Sequence, residues 1–450
     1  MKPTICIILG TALGTILTGC TTSQTTQTTE GPKPSTTINR HASPATSTSR
    51  PVPGDPYGEL TILTAAGLAL ARSPDLEAYR RENQRALALE RQAGIWDNPE
   101  LEVEFEEIRN DAETPDGRAL ETTVAFSQRL PLGRDAAFRR RMAEARSEGA
   151  HWEFEAARLE TLLLVNRRFV LALAADRRLE LADRELELAS QTRNVIRQLV
   201  ETGKASPVEL TRIEVPVVEA ELSRQRQARL QAAAYRQLAL TWGSWEATFA
   251  KAAGDLEQVP PLPEPSDLVR MINSNPSVAG WGAAVSEQVA ARRLARAEAI
   301  PDPTLRIGIK ERDEPDEETF IVGIRFPLPI FDRKQGDLTA AREGEAAARA
   351  RQSAEELRLQ GMLNEAYAGL ANAHDEVAAL RERALPAAEK GFSATQLAYA
   401  EGKLGLLDVL DAQRTLFELE SRYLDALVDC HLWAAEIESL IGQPLGDLAP

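Results

Sequence analysis

Hydrophobic positions in this 450-residue chain follow two periods, and the switch between them occurs twice. From residue 101 the side chains alternate, with Leu101, Val103 and Phe105 on one side and Glu102, Glu104 and Glu106 on the other. The next run sets Leu120, Val124 and Phe126 against Glu121, Thr123 and Ser127. Further along, Leu305, Ile307 and Ile309 oppose Arg306, Gly308 and Lys310. Phe320, Val322 and Ile324 then oppose Ile321, Gly323 and Arg325. Period two over about nine residues predicts strands, and it reads alike for a lipid-facing barrel strand and a strand packed on a helix. Acidic tips at 109–119 and 311–318 join the runs into two hairpins, 101–128 and 305–326.

Around these hairpins the pattern is helical. A helix of about 35 residues is predicted before each, over 60–95 and 267–299. After the first hairpin, Asp135 to Glu201 holds 67 residues without a proline. At 1.5 Å per residue such a helix spans about 100 Å, a length no globular core needs. Its counterpart, Lys334 to Glu401, is 68 residues broken only by Pro386. Return helices follow from Pro207 to about Trp242 and from Gly405 to about Leu440, and Leu410, Phe417 and Leu424 fall seven apart as in a coiled-coil seam.

The body is one unit written twice. Ser73-Pro74-Asp75-Leu76 recurs as Asn275-Pro276-Ser277-Val278, an offset of 202. Trp96-Asp97-Asn98-Pro99-Glu100-Leu101 recurs as Ile300-Pro301-Asp302-Pro303-Thr304-Leu305, an offset of 204. Arg129-Leu130-Pro131-Leu132 recurs as Arg325-Phe326-Pro327-Leu328 at 196, and Thr202-Gly203-Lys204 as Glu401-Gly402-Lys403 at 199. The expected division is a first unit 58–258 with its helix hairpin at 135–242, a Pro-rich linker 259–266, a second unit 267–442 with its hairpin at 334–441, and a tail 443–450. The fold class is mainly α with a small transmembrane β part. Four strands cannot close a barrel, and open edges are not tolerated in lipid, so membrane-spanning strands require oligomerisation. Three chains supply twelve strands, an even number within the known range.

Ahead of the body, Lys2 is the only charge before residue 30, and Ile5 to Leu17 is apolar or small. That stretch suits a signal peptide, 1–19, and is too short to span a bilayer. It ends in Leu17-Thr18-Gly19-Cys20, which resembles the lipobox of bacterial lipoproteins, with Cys20 as the acylated residue. The Thr, Ser, Pro and Gln of 20–57 read as a disordered tether to such an anchor. Thr21 rather than Asp at the next position implies, within that resemblance, delivery to the outer membrane.

Composition narrows the class further. A formal charge of −16 argues against a nucleic-acid partner, which needs a basic face. Three cysteines and four scattered histidines form no metal, phosphate-loop or redox motif, so neither an enzyme nor a cofactor is expected.

With these elements in place, about residues 60–442 resemble the TolC-like outer-membrane efflux family. The carrying motifs are Asp97-Asn98-Pro99-Glu100-Leu101, Phe126-Ser127-Gln128-Arg129-Leu130-Pro131-Leu132-Gly133, and Arg325-Phe326-Pro327-Leu328-Pro329-Ile330-Phe331-Asp332. The most specific is Glu401-Gly402-Lys403 followed by Leu407-Asp408-Val409-Leu410-Asp411-Ala412. The resemblance implies a homotrimer with a twelve-stranded barrel in outer-membrane lipid and a helical tunnel through the periplasm. It implies a periplasmic adaptor and an inner-membrane pump as partners, with Gly203, Lys204, Gly402 and Lys403 at the adaptor-contacting tips. Asp408 and Asp411 fall on the family's acidic constriction, with Glu209 and Arg212 at the matching positions of the first unit. Two features depart from the pattern: the strands carry Phe but no Tyr or Trp, and Gly67 interrupts the first helix. A lipid-anchored periplasmic adaptor is the alternative class, disfavoured by the paired short strands and the duplication. Cargo, metal cation or drug, stays open.

Mass spectrometry of the mature N-terminus tests the anchor. We expect a lipidated Cys20, and a precursor left uncut after Gly19 when Cys20 is replaced by Ala; an unmodified amine at any other residue would refute it.

Overall fold

The computed structural model describes residues 54–109, 118–312 and 317–448. The leader, Cys20, most of the expected tether and the tips of both β-hairpins lie outside the described residues. Described elements all belong to one unit, Pro51–Pro450.

In chain order the first half holds β1 (Gly58–Thr61), α1 (Ile62–Arg72), α2 (Pro74–Ala93), β2 (Glu100–Arg109), β3 (Arg118–Arg129), α3 (Asp135–Glu201) and α4 (Pro207–Leu240). The second holds β4 (Phe249–Ala253), α5 (Pro265–Ile272), α6 (Pro276–Ala297), β5 (Thr304–Arg312), β6 (Glu317–Arg325), α7 (Gln335–Ala379), α8 (Leu385–Ala400) and α9 (Leu406–Ile441).

Each helix expected ahead of a hairpin is in fact two. Proline lacks an N–H and disfavours a helical residue before it, so Pro74 and Pro276 each start a new helix at its first position. Ser73 caps α2 by accepting from the Leu76 amide at 3.4 Å, and Asn275 caps α6 by accepting from Ser277 at 2.8 Å. The repeated Ser/Asn-Pro landmark is therefore a helix start, not an interior sequence. Also unforeseen is a parallel pair of short strands, β1 with β4. They lie over the main core, where Leu60, Phe249 and Ala252 bury against Phe169, Leu238 and Trp242.

The long helices form at the expected length. α3 runs unbroken for 67 residues. Many of its buried positions are small, Ala172, Ala174, Ala182 and Ala189 among them, which lets helices approach closely there. α7 and α8 make one continuous rod through a π-helical turn, Leu380–Ala384. Pro386 lies just beyond, and the wider turn absorbs the amide it does not supply.

β2, β3, β5 and β6 form one antiparallel sheet in that order, joining the two units. Register places Val103, Val124, Ile309 and Phe320 in one row across all four strands, and Leu101, Phe126, Ile307 and Val322 in the next. Both rows are solvent-exposed in the single chain. The other face is charged. Glu121, only 1% exposed, pairs with Lys310 and Arg312, and Arg306 reaches Glu102 at 2.9 Å. A sheet that exposes its apolar face and pairs charges on the other is inverted relative to a soluble protein. β2 and β6 are unpaired at its two edges.

Where sheet meets helices, the duplicated motifs interlock. Arg129 binds Asp302 at 2.7 Å, Asp97 at 3.1 Å and the buried Asp135 at 3.2 Å. Asp302 also accepts from the Leu132 amide at 2.8 Å. Arg129→Ala leaves two largely buried carboxylates short of a donor, which should cost about 1–3 kcal/mol. The check is the urea midpoint, against an exposed-helix control such as Arg229→Ala with no measurable effect.

Candidate functional site

The helical hairpins end in two copies of one turn. In the first, Gly203 adopts φ 71° beyond the end of α3, and the Lys204 amide returns to Leu199 O at 2.8 Å. In the second, Gly402 has φ 73° and the Lys403 amide returns to Ala398 O at 2.9 Å. A left-handed residue followed by these back-bonds satisfies the last helix carbonyls, and only glycine adopts it without strain. Ser206 with Pro207 restarts the chain as α4, and Gly405 restarts it as α9. All four tip residues singled out from the sequence, Gly203, Lys204, Gly402 and Lys403, are exposed at these turns, with Lys403 paired to Glu401 at 2.5 Å.

Behind the turns, all four helices converge. Ile196 of α3, Ile213 of α4 and Leu406 of α9 are buried together, with Val200, Leu210, Leu410 and Tyr399 of α8 packed around them. Tyr399 donates its hydroxyl to Glu209 at 3.1 Å, tying the second hairpin to the first. Burial, and then the Glu209 carboxylate, push the Tyr399 phenol up to about 12. Glu209 thus finds its partner on the other hairpin and not in Arg212. The sequence offered no sign of Tyr399, because 190 residues separate the pair.

Asp408 and Asp411 lie one turn apart on α9, both exposed. Their roles diverge. Asp408 accepts from the Gly405 amide at 2.9 Å and so caps its own helix. Asp411 has no such tie, but Arg414, paired with Glu418 at 2.7 Å, lies within coulombic reach one turn on. The acidic pair is therefore one capping carboxylate and one carboxylate with an arginine nearby, not an isolated negative patch.

Above the tips, α3, α4 and α9 enclose an open groove of about 760 Å³, lined by Glu185, Glu219, Gln413 and Phe417 among others. Burial, and then the charge of Glu219, raise the Glu185 carboxyl above its ordinary range. Among the described residues no helix is long and apolar enough to cross a membrane, and no acidic, His or Cys group forms a metal-binding cluster.

Long paired helices carrying an inverted sheet define a duct-like protein attached to a membrane through strands. The model of the outer membrane efflux protein family matches residues 65–244 and 268–443, one match per unit, and the chain belongs to that family. It is an outer-membrane efflux channel protein built by tandem duplication. Cobalt-zinc-cadmium resistance protein CzcC of Cupriavidus metallidurans is 30% identical over 391 residues, covering 87% of this chain and 92% of that one. Nickel-cobalt-cadmium resistance protein NccC of Alcaligenes xylosoxydans xylosoxydans is 25% identical over 284 residues, 63% and 64% of the two chains. Among solved structures, CusC, described for folding and transmembrane channel formation, superposes with a TM-score of 0.75 at 18% identity, covering 86% of this chain and 93% of that one.

The Tyr399–Glu209 tie makes a testable claim. Tyr399→Phe should loosen the tips by about 1–3 kcal/mol, the loss of a hydrogen bond to a charged acceptor. The readout is faster amide exchange over 196–213 and 399–410. The phenol's folded value is raised, so the tie is fully present below its ordinary value near 10 and is lost as pH rises through about 12. The variant and the parent should therefore differ at pH 8 and converge only at strongly alkaline pH.

Proposed function

We propose that three copies of this chain close a twelve-stranded barrel in the outer membrane and export divalent metal cations through it. The four-stranded sheet carries this reading. Its exposed face is apolar in continuous rows, and its β2 and β6 edges are unpaired. Buried in hydrocarbon, those edge amides and carbonyls would each cost several kcal/mol, and closing a ring of copies pairs them all. The helices favour the same arrangement. α4 exposes Val208, Val215 and Leu222 at heptad spacing, on a face distinct from the Ile213 and Val217 side that packs within the chain.

The named activities of CzcC and NccC support divalent metal cations as cargo. Cys20 anchors the chain by lipid, a periplasmic adaptor grips the tips at Gly203, Lys204, Gly402 and Lys403, and an inner-membrane pump feeds the tunnel. The packed tips form the closed end, held by the Tyr399–Glu209 tie, with Asp411 supplying the cation preference and Asp408 the helix cap.

Two measurements decide this. Deleting the gene should lower tolerance to cobalt, zinc or cadmium, and the full chain should restore it; unchanged tolerance to all three rejects the cargo. In planar bilayers at low salt, Asp411→Asn should weaken block by multivalent cations, with the difference fading as ionic strength rises. Block identical to that of the parent places the constriction elsewhere.

A further inference from the structure

We propose that the joint between neighbouring copies, at the base of the barrel, is made by the 325–334 loop of one copy and the 94–100 linker of the next. It repeats a joint that each chain already makes internally. This inference rests on the trimeric reading above.

The internal joint is well defined. Leu130 donates its amide to Pro303 O at 2.8 Å, and Leu132 donates to Asp302 at 2.8 Å. Arg129 pairs with Asp302 and stands opposite Thr304 in the sheet. At Gly133 the loop lies so close to the linker that a Cβ would come within 2.4 Å of Ala297 O. Here the loop of the first unit meets the linker of the second. The duplication leaves the complementary halves unmatched in a single chain: the second unit's loop and the first unit's linker. Closing the ring through β6 and β2 brings them together between copies.

Three observations favour that match. First, both halves are apolar and uncovered: Phe331 is 90% exposed, Leu328 75% and Trp96 61%. Second, their sizes correspond. Arg129 and the left-handed Arg134 are five positions apart, whereas Arg325 and the left-handed Lys334 are nine apart, a loop four residues longer. The first linker carries Ile95-Trp96 where the second carries Ala299-Ile300. The short loop thus meets the small linker within the chain, and the long loop is left for the bulky one. Third, charges complete one another. Arg325 lacks the own-unit acid that Arg129 has in Asp97, because Pro301 stands there, and the register that sets Arg129 opposite Thr304 sets Arg325 opposite Glu100 of the neighbour. Among the described residues neither Arg325 nor Glu100 makes an ion pair.

The test is disulfide formation in the full chain bearing Asn98→Cys and Leu328→Cys, with native mass spectrometry of the detergent-solubilised protein as an independent readout of the trimer. We expect covalent dimers and trimers on a non-reducing gel. Phe105→Cys with Leu328→Cys, displaced up the strand, should give none. Benzoylphenylalanine in place of Phe331 keeps an aromatic ring there and avoids new cysteines; its adduct should map to the peptide holding Ile95 and Trp96. A trimer in which the displaced pair links, or in which Phe331 captures lipid and not that peptide, overturns the joint while leaving the trimer standing. A folded monomer overturns both.

Discussion

Backbone hydrogen bonding in hydrocarbon is the constraint on which the architecture depends. A peptide group can leave water only if its N–H and C=O are paired, so a sheet that faces lipid must have no edge. This chain makes four strands and leaves two edges, so its β part is a fragment of a larger closed object. The inverted distribution of side chains follows from the same setting. Val103, Val124, Ile309 and Phe320 face outward because the surroundings there are apolar, and Glu121 with Lys310 and Arg312 turns toward the side where water and charge belong.

Duplication turns this constraint into an assembly rule. Two copies of one unit meet inside the chain through the Arg129 clamp, where two of the repeated motifs, the one at Arg129-Leu130-Pro131-Leu132 and the one holding Asp302, come together. The places where the copies differ are as informative. Asp302 binds Arg129, while its counterpart Asn98 is neutral; Ala299-Ile300 belongs to the linker that the short loop meets, while the bulkier Ile95 and Trp96 are more than half exposed. Sequence divergence between the copies therefore separates contacts made within a chain from surfaces left for a neighbour.

At the other end of the molecule, glycine turns and packed side chains hold the hairpins together. Each turn costs little because glycine accepts a positive φ, and each ends a helix about 100 Å from the sheet with its carbonyls satisfied. What packs the two hairpin tips together is modest: a cluster around Ile196, Ile213 and Leu406, and one phenol on one carboxylate. Packing of that size can be undone by a binding partner with a few kcal/mol of preference for a spread arrangement.

The sequence by itself determined the elements and their repetition. Period-two runs marked β2, β3, β5 and β6, proline-free stretches marked α3 and its counterpart, and glycines marked the tips, since each signal is local. Local signals also set helix starts inside the predicted spans, as Pro74 and Pro276 open new helices instead of interrupting one. The tertiary structure decided what depends on distant partners. It joined β3 to β5 and so made one sheet of two hairpins, and it added the β1–β4 pair, whose strands lie some 190 residues apart. It brought Tyr399 to Glu209 and separated the roles of Asp408 and Asp411, which the sequence presents as equals. Spacing along a helix says which side chains share a face; only the folded structure says that one of them is spent capping the helix while the other is not.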